Sequence, residues 1–398
     1  MDNRPTVGVV APTPGSDESE SGHIATYMIV NVLLQFHENV HVFTRATAVM
    51  EFDHPDVTLH TIEKPFADAP WFLRLPGQLI YQIRYCAAFV SLRSRLDLVL
   101  FGGSGFLFPM AAAKVLRFVI LYRIGGVIHY QESETDDSTL AVYWSHFLAT
   151  VQSSLYMLAD EIIVISPQLA EFADIDDYTH KISVWCHYYF DLDLFNVDRP
   201  FEQRDATVGQ VGIVSEIKGS LKFVEAMGCV SQDRDVSMLV VGDGPLLSRA
   251  RTRANDLDIS AEFTGRISRD SVPDRMNDMR LLVISSVTEG VPKVALEAMA
   301  CGTVPIATAV GGIPDFIEHE KNGYLIPDNK PDTIAEAIVN LLESDDLLAM
   351  SQNGRNYVEK NFSYESSVHQ YGEVLETATP FDVATSKDAT TEPLEVDQ

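Results

Sequence analysis

The stretch Ser285–Gly302, SSVTEGVPKVALEAMACG, decides how the whole chain is interpreted. It begins at the end of a short apolar run, LLVIS, and contains a Gly-Val-Pro-Lys turn before a helix-forming segment. The stretch contains two acids: Glu289 lies in the turn, and Glu297 follows inside the predicted helix. Pro292 suits the first position of that helix, and Gly302 suits the left-handed residue after its end. The stretch therefore predicts a strand, a turn and a helix in succession.

A helix N-terminus at the carboxyl end of a parallel strand predicts an anion-binding site. The helix dipole favours negative charge there, and the first backbone N–H groups have no partner inside the helix. Here those amides belong to Val291, Lys293 and Val294. If the anion is a diphosphate, the two glutamates can accept hydrogen bonds from hydroxyl groups on either side of it, as in a nucleotide sugar. A turn acid and a solvated helix acid without special function remain the alternative.

Short apolar runs rich in Val and Ile alternate with helix-length segments along the chain. They are bounded by Gly, Pro or Ser, which is typical of buried strands in parallel sheets. This alternation predicts an α/β chain with two doubly wound halves. The runs are TVGVVAP, VHVFT, LDLVLF, GVIHY, EIIVIS, SMLVVG, LLVIS, VPIAT and GYLIP.

The length of 398 residues suits two domains better than one ordinary core. We predict a first domain at 1–195, a polar linker at 196–207 and a second domain at 208–362. A C-terminal helix at 363–380 is expected to pack back on the first domain. Residues 381–398 lack periodicity and aromatic residues, so we expect a disordered acidic tail.

The chain is strongly acidic, with 57 acidic residues, 29 basic residues and a formal net charge of −28. This charge repels phosphate backbones, so we expect no nucleic-acid partner. Arginines outnumber lysines by 19 to 10. A lysine-poor acidic surface is typical of proteins in a salt-rich cytoplasm, such as that of a halophilic archaeon, and simple solubility explains it equally well.

The cysteines and the apolar runs predict a cytoplasmic protein. Cys86, Cys186, Cys229 and Cys301 are widely separated, which predicts reduced thiols and neither a disulfide frame nor a zinc site. No uncharged apolar run reaches the ~18 residues that a membrane-spanning helix needs. The N-terminal apolar run is too short for the core of a signal peptide.

A basic and apolar segment at 69–131 departs from the overall charge. It holds seven basic residues and one acid, Asp97. Within it, WFLRLPGQLIYQIRYCAAFV combines large apolar residues with spaced arginines. Two interpretations stay open: a helix pair packed in a core with arginine stems at its rim, or a surface that meets an anionic membrane or a lipid-phosphate acceptor.

Several motifs resemble those of the retaining GT-B glycosyltransferases of the large family 4. The resemblance rests on EGVPKVALEAMACGTVPIATAVGGIPDFIEHEKNGYLIP, in which seven residues separate the two glutamates. It rests also on LVVGDGPL, EFTGRISRDSVPDRMNDMRLLVISS and VSEIKGSLKFVEAM, with LADEIIVISPQLAEF in the N-terminal half. These motifs are dense from about residue 208 to 330 and patchy before that.

The resemblance implies a fold and an activity. The fold is GT-B: two Rossmann-like doubly wound domains facing across a cleft, the first on the acceptor side and the second binding the nucleotide sugar. The activity is hexosyl transfer from a nucleotide sugar to a glycan or a polyprenyl-phosphate-linked acceptor, with retention of anomeric configuration. No metal or other cofactor is expected. We also expect that the protein contacts the inner face of the cell membrane peripherally.

The resemblance further implies roles for individual residues. Glu289 contacts hydroxyls of the donor sugar, Glu297 contacts the ribose and Lys218 contacts the diphosphate. His129, at the end of GVIH, matches a site histidine that faces the donor sugar, although a lone histidine at a strand end is more often structural. The other donor-binding candidates are Gly22, Arg266, Gly290, Val291, Pro292, Lys293 and Val294.

Two features depart from the family pattern. Ile213 lies five residues before Lys218, where family members usually carry an arginine that binds the diphosphate. A charge-assisted hydrogen bond contributes roughly 1.5–3 kcal/mol. Either Arg266 or Lys293 supplies the missing charge, or the activity is lower. The N-terminal loop APTPGSDESESGH is also longer and more acidic than the usual glycine turn.

Two other functions fit parts of the sequence. FGGSGFLF follows a predicted strand, as a dinucleotide-binding fingerprint does, but Phe108 replaces the third glycine and argues against an oxidoreductase. A non-catalytic nucleotide-sugar-binding or scaffold partner of an active transferase is the second alternative. Ile213 favours it, whereas Lys218, Glu289 and Glu297 oppose it.

Overall fold

The computed structural model describes residues 4–11, 20–45, 51–66, 70–103, 105–124, 139–165, 175–289 and 291–378. Within these ranges, side chains are described at every position except 20–23, 71–73, 75, 139–147 and 176. The predicted tail, His129 and Gly290 therefore lie outside the described residues.

The chain divides into two compact units. The first comprises Met1–Tyr189 with Tyr364–Gln398, and the second comprises Phe190–Ser363. The chain thus leaves the first unit once and later returns to it. Residues 196–207, the predicted linker, lie inside the second unit.

A seven-stranded parallel sheet forms the centre of the first unit. Its strands are β1 (Val7–Val10), β2 (Val40–Arg45), β3 (Val57–Ile62), β4 (Leu98–Gly102), β5 (Val119–Arg123), β6 (Glu161–Val164) and β7 (Ile182–Val184). They lie in the order β3-β2-β1-β4-β5-β6-β7, and all neighbouring pairs are parallel. Every residue of β1 and β4 is buried, as expected for strands that are covered on both faces.

A six-stranded parallel sheet forms the centre of the second unit. Its strands are β8 (Thr207–Val211), β9 (Ser237–Val241), β10 (Ala261–Gly265), β11 (Leu281–Ile284), β12 (Val304–Thr308) and β13 (Tyr324–Ile326). They lie in the order β10-β9-β8-β11-β12-β13, again all parallel. The two doubly wound α/β halves predicted from the sequence are therefore confirmed.

Helices connect the strands of both sheets. Those described are α1 (Glu20–Leu33), α2 (Trp71–Ser91), α3 (Leu107–Val115), α4 (Thr139–Leu158), α5 (Ser220–Val230), α6 (Leu247–Asp256), α7 (Val272–Asn277), α8 (Lys293–Ala300), α9 (Pro331–Leu342), α10 (Leu347–Asn361) and α11 (Tyr364–Ala378). The first four and α11 belong to the first unit.

The C-terminal helix α11 packs against α1, β6 and β7 of the first unit. Its Tyr371 is fully buried, and the hydroxyl lies 2.8 Å from Nε2 of His37. The indole N–H of Trp185 donates to the Ser367 hydroxyl at 3.1 Å. Burial lowers the pKa of His37 to about 4, so this imidazole is neutral at physiological pH.

The strands coincide with most of the apolar runs, with one exception. GVIHY, at 126–130, lies outside the described residues. The strand that precedes it is β5, which ends at Arg123, six residues before His129. Arg123 is the last residue of β5, and the position of His129 at the end of a strand stays a prediction.

A buried arginine ties residues 199–204 to the second sheet. Arg204 is 1% exposed, and burial lowers its pKa to about 10, so it stays charged at neutral pH. Its guanidinium donates to acceptors on three separate parts of the second unit. These hydrogen bonds join the stretch before β8 to the segments before β11 and β12. The acceptors are the carbonyl oxygens of Arg199, Met279 and Cys301, the Asn277 amide oxygen and the Thr303 hydroxyl, at 2.6–3.0 Å.

We predict that Arg204→Met destabilises the second unit by about 3 kcal/mol or more. The substitution leaves several buried acceptors without a donor, and each such group costs about 1–3 kcal/mol. Urea unfolding of the two variants and the wild type measures the effect. Arg199→Met is the control, because the Arg199 side chain makes a half-exposed ion pair with Asp278 and should change stability by at most ~1 kcal/mol. Equal losses in the two variants would contradict this role of Arg204.

Candidate functional site

Two loops at the centre of the second sheet bring the main predicted site residues together. Lys218 lies in the loop after β8, and Glu289 lies in the loop after β11. These strands are neighbours, but the chain continues from β8 toward β9 on one side and from β11 toward β12 on the other. Such a topological switch point leaves a crevice at the carboxyl edge of an α/β sheet, where ligands bind.

The two loops are tied to each other by hydrogen bonds. The Ser285 hydroxyl donates to the carbonyl oxygens of Lys218 at 3.1 Å and of Gly219 at 3.2 Å. The Val287 N–H donates to the Ile217 carbonyl at 2.8 Å. Gly219 has a φ of 66°, and a Cβ at this position would lie 2.3 Å from the Ser285 carbonyl oxygen. Only glycine therefore permits this approach of the loops.

Lys218 and Glu289 form a direct ion pair across the switch point. The ammonium lies 2.5 Å from Oε2 of Glu289, and the Ser286 hydroxyl donates to the same oxygen at 3.1 Å. The Lys218 side chain is 34% exposed and that of Glu289 is 16% exposed. Both groups thus reach solvent while their positions are fixed by neighbours.

A glycine pair after β12 fixes the backbone of the Glu289 turn. The Gly312 N–H donates to the Glu289 carbonyl oxygen at 3.1 Å. Gly311 has a φ of 55°, and a Cβ there would lie 1.9 Å from that oxygen. The Gly-Gly dipeptide of AVGGIPD is therefore a close-approach position that no larger residue can occupy.

Glu297, on α8, is a largely buried carboxylate with little compensation. Its side chain is 13% exposed, and its nearest cation is Arg269, with Nη2 3.7 Å from Oε1. Burial raises the pKa of Glu297, and the charges of Arg269 and Lys293 partly oppose that effect. Among the described residues no hydrogen bond is donated to this carboxylate. Its oxygens can accept hydrogen bonds from ligand hydroxyls.

The start of α8 differs from the sequence prediction in two respects. Pro292 is the N-cap, with φ −79° and ψ 69°, and Lys293 is the first helical residue. The proline takes a non-helical ψ because the chain is still turning out of the glycine-containing loop. The Lys293 N–H donates to the Val291 carbonyl at 2.9 Å and is not available to a ligand. Val291 and Val294 remain the candidate amide donors. The helix end is as predicted, because Gly302 has a φ of 73°.

Other residues singled out from the sequence do not take part in the ion pair or lie outside the described residues. Arg266 is exposed and follows β10, which β9 separates from β8. Gly22 lies within α1 of the first unit. Ile213, at the position of the usual arginine, is 63% exposed in the loop after β8. His129 and Gly290 are not among the described residues.

Sequence reasoning missed three residues that shape the site. Ser285 and Ser286 hold the loops and the Glu289 carboxylate, and Arg269 is the cation nearest to Glu297. The two serines follow the strand LLVI, and polar residues at the carboxyl end of a parallel strand are a usable signal. Nothing in the local sequence around Arg269 indicates a partner 28 positions away.

Among the described residues, no group of three or more His, Cys, Asp or Glu side chains is arranged to hold a metal ion. None of the described helices is both long enough and apolar enough to span a membrane.

Residues 205–344 match a family profile described as Glycosyl transferases group 1. Over 186 residues the chain is 28% identical to N-acetyl-alpha-D-glucosaminyl L-malate synthase of Bacillus anthracis, covering 46% of this chain and 49% of that protein. Over 157 residues it is 33% identical to an uncharacterised glycosyltransferase of Methanocaldococcus jannaschii, covering 39% of this chain and 44% of that protein. Over 169 residues it is 28% identical to the GDP-mannose-dependent alpha-(1-6)-phosphatidylinositol monomannoside mannosyltransferase of Mycobacterium tuberculosis, covering 40% and 44%. The chain spans about half the length of the curated relatives it matches.

The fold as a whole is similar to that of HepE from Anabaena, solved in complex with UDP. The TM-score is 0.69, with 94% of this chain and 100% of that chain covered at 17% sequence identity. At this identity the likeness concerns the fold alone. The chain thus has two parallel-sheet Rossmann-like units matching GT-B glycosyltransferase structures, and the part that carries the Lys218–Glu289 site matches group 1 glycosyl transferases.

Proposed function

We propose that the protein is a glycosyltransferase that moves a sugar from a nucleotide-sugar donor to an acceptor, without a metal and with retention of configuration. The observation that carries the proposal is the Lys218–Glu289 pair at the switch point of the second sheet, beside the N-terminus of α8. The match of residues 205–344 to group 1 glycosyl transferases supports it.

The donor fits this arrangement in a specific order. The diphosphate takes the place of the Glu289 carboxylate as the partner of the Lys218 ammonium, next to the Val291 and Val294 amides. Glu289, released from Lys218, then accepts hydrogen bonds from hydroxyls of the donor sugar. Glu297, which no described donor satisfies, accepts from the vicinal hydroxyls of the ribose. The ion pair thus holds both side chains in place before the donor binds.

The proposed chemistry follows from where charge develops. As the bond to the anomeric carbon breaks, negative charge grows on the leaving nucleoside diphosphate. Lys218 and the N-terminus of α8 stabilise that charge, and their fixed positions limit the cost of reorganisation. In the retaining route, the acceptor attacks the face from which the diphosphate leaves, through an oxocarbenium-like state, and the leaving phosphate takes the acceptor proton. Glu289 positions the donor and is not a nucleophile.

The exposed Ile213 supports a second candidate function. The loop after β8 offers no guanidinium at this position, and the Lys293 side chain, one turn before Glu297, is the best placed replacement. If Lys293 does not supply the second charge, the protein binds nucleotide sugars as a non-catalytic partner of an active transferase. Hydrolysis or transfer of a bound donor separates the two functions.

For the acceptor, we propose a glycan or a lipid-linked glycan. The similar mycobacterial enzyme is named for a phosphatidylinositol monomannoside acceptor. In the first unit, α2 buries Tyr81, Tyr85 and Phe89 in the core, yet leaves Leu79 and Ile83 about half exposed. The helix is therefore both a core helix and an apolar surface next to arginines, which suits peripheral contact with an anionic membrane in the cytoplasm.

We predict that one of the UDP-, GDP- or ADP-sugars stabilises the protein and that Lys218→Met abolishes most of this effect. A donor at a hundredfold excess over its dissociation constant stabilises the fold by about 2.7 kcal/mol. Loss of the charge-assisted contact, about 1.5–3 kcal/mol, weakens binding by roughly ten- to a hundredfold. Thermal shift measures donor binding. The experiment is done in high salt, because salt screens the repulsion that arises from the net charge of −28.

Lys321→Met is the matched control for this experiment. Lys321 forms an exposed pair with Glu318 and lies outside the site, so donor binding should be unchanged. The proposal fails if no donor stabilises the wild type, or if both lysine variants lose binding equally. Binding without measurable transfer or hydrolysis would favour the non-catalytic function.

We predict that Glu297→Gln raises thermal stability at neutral pH while it weakens donor binding. Burial raises the folded pKa of Glu297 above its unfolded value. Stability from the protonated carboxyl is therefore present below the unfolded pKa and is lost as the pH rises through the folded pKa. Gln is neutral throughout, so the gain in Tm should be near zero in acid and positive at neutral pH. Thermal unfolding from about pH 4 to pH 8 spans this range.

Glu336→Gln provides the comparison, because Glu336 is an exposed residue of α9. The difference in Tm between Glu336→Gln and the wild type should not increase with pH. If Glu297→Gln is less stable than the wild type at every pH, the Arg269 contact outweighs the cost of burial.

A further inference from the structure

Arg123, at the carboxyl end of β5, carries a buried guanidinium whose only hydrogen-bond partner among the described residues is a histidine. The residue is 6% exposed, and Nη1 lies 3.2 Å from Nε2 and 3.5 Å from Nδ1 of His187, which is fully buried. The Nε atom is also buried, and no described residue accepts its hydrogen bond. A buried guanidinium that leaves a donor unpaired is rare in folded proteins and calls for an explanation.

The side chains around Arg123 do not compensate its charge. Apart from His187, the titratable groups that act on its charge are Tyr122, Cys186 and Tyr188, and burial raises the pKa of both tyrosines, so they are neutral at physiological pH. Among the described residues, no carboxylate forms an ion pair with Arg123. Burial lowers the pKa of Arg123 itself, because desolvation disfavours the charged guanidinium more than Tyr188, Cys186 and Tyr122 favour it.

Two glycines lie at the end of the strand that pairs with Arg123. Arg123 pairs with Gly102, the last residue of the neighbouring strand β4. Gly103 follows with a φ of 106°, and a Cβ at this position would meet nothing within 4 Å. Helix α3, which begins after this turn, has no acid in its first turn. Gly102 and Gly103 thus place no side chain at the end of β4, the strand that pairs with Arg123.

The same edge of the sheet carries a second arginine with a buried Nε. Arg45, the last residue of β2, is partly buried, and no described residue accepts a hydrogen bond from its Nε. Burial, together with the charges of Arg45 and Arg74, lowers the pKa of Lys64, which lies just beyond the end of β3. Among the described residues, Arg45, Lys64 and Arg123 thus lie at or just beyond the carboxyl ends of β2, β3 and β5, and Glu63 beside Lys64 pairs with Arg84. Ligands of α/β sheets bind at this edge.

We propose that Arg123 binds an oxyanion, a phosphate or carboxylate group, through the edge formed by Nε and Nη2. His187 holds Nη1 and so orients this edge of the guanidinium, whose two parallel N–H groups match an oxyanion. The anion site stands on the first unit alone. That the anion belongs to the acceptor substrate, as in a phosphorylated glycan or a lipid phosphate, rests on the function proposed above.

The test is a titration with inorganic phosphate, followed by thermal shift at constant ionic strength. All proteins carry Lys218→Met, so that the second unit contributes as little as possible to phosphate binding. Phosphate should raise the Tm of the parent, which carries Lys218→Met alone. Adding Arg123→Met should weaken phosphate binding by about tenfold or more. Adding Arg123→Lys should weaken it less, because lysine keeps the charge but loses the bidentate edge. Arg93→Met, an exposed arginine of the same basic segment, should bind like the parent.

The Tm without phosphate distinguishes binding from a structural role. Arg123→Met removes an unpaired buried charge and should be at least as stable as its parent. The proposal is wrong if phosphate does not stabilise the parent, if Arg93→Met loses as much binding as Arg123→Met, or if both Arg123 variants are less stable without phosphate. In the last case Arg123 serves the fold.

A second arm identifies the source of the anion and uses chains with an intact Lys218. With a donor that binds, transfer to a phosphorylated acceptor and to its dephosphorylated form is compared. A preference for the phosphorylated acceptor that Arg123→Met removes and Arg93→Met keeps assigns the anion to the acceptor. Equal transfer to both acceptors by the wild type overturns that assignment. If no donor binds, the proposed function fails, and the phosphate titration still decides the anion site.

Discussion

The hydroxyl of Ser285 donates hydrogen bonds to two carbonyl groups of the loop after β8, and the candidate site depends on this contact. It fixes the separation of two loops that leave neighbouring strands in opposite directions. Gly219 permits the approach, since any side chain there would collide with the Ser285 carbonyl. With the loops fixed, Lys218 and Glu289 meet across the switch point. A crevice built in this way is a general property of doubly wound sheets, and the two charges make it specific.

Cations of the two units differ in their partners. In the second unit the half-buried Lys218 has a carboxylate partner, and the buried Arg204 has several acceptors, so both are paired before any ligand arrives. In the first unit the imidazole of His187 is the only hydrogen-bond partner of the Arg123 guanidinium among the described residues. A net charge of −28 gives no hint of either arrangement, because it reflects the solvated surface. Local burial, and not overall charge, decides where an anion is favoured.

Much of the second unit follows from local sequence. Runs such as VPIAT and LLVI are fully buried strands because a parallel sheet covered on both faces needs continuous apolar residues. Gly302 takes a left-handed conformation at the end of α8, as its position after a helical run indicates. The polar stretch 196–207 shows the limit of this reasoning. Its composition is typical of a linker, yet Arg204 within it is buried, because all its acceptors except the Arg199 carbonyl come from segments more than 70 residues away.

The sequence by itself determined the kind and order of the elements and the two doubly wound halves, and it singled out Lys218 and Glu289 as candidate site residues. These features depend on apolar periodicity, glycine conformation and short motifs, which are local. Only the tertiary structure decided that the Lys293 amide is already bonded, that Arg269 is the nearest cation to Glu297, and that β5 ends at Arg123. The physical reason is that strand order brings distant residues together, and burial then sets the energy of each charge.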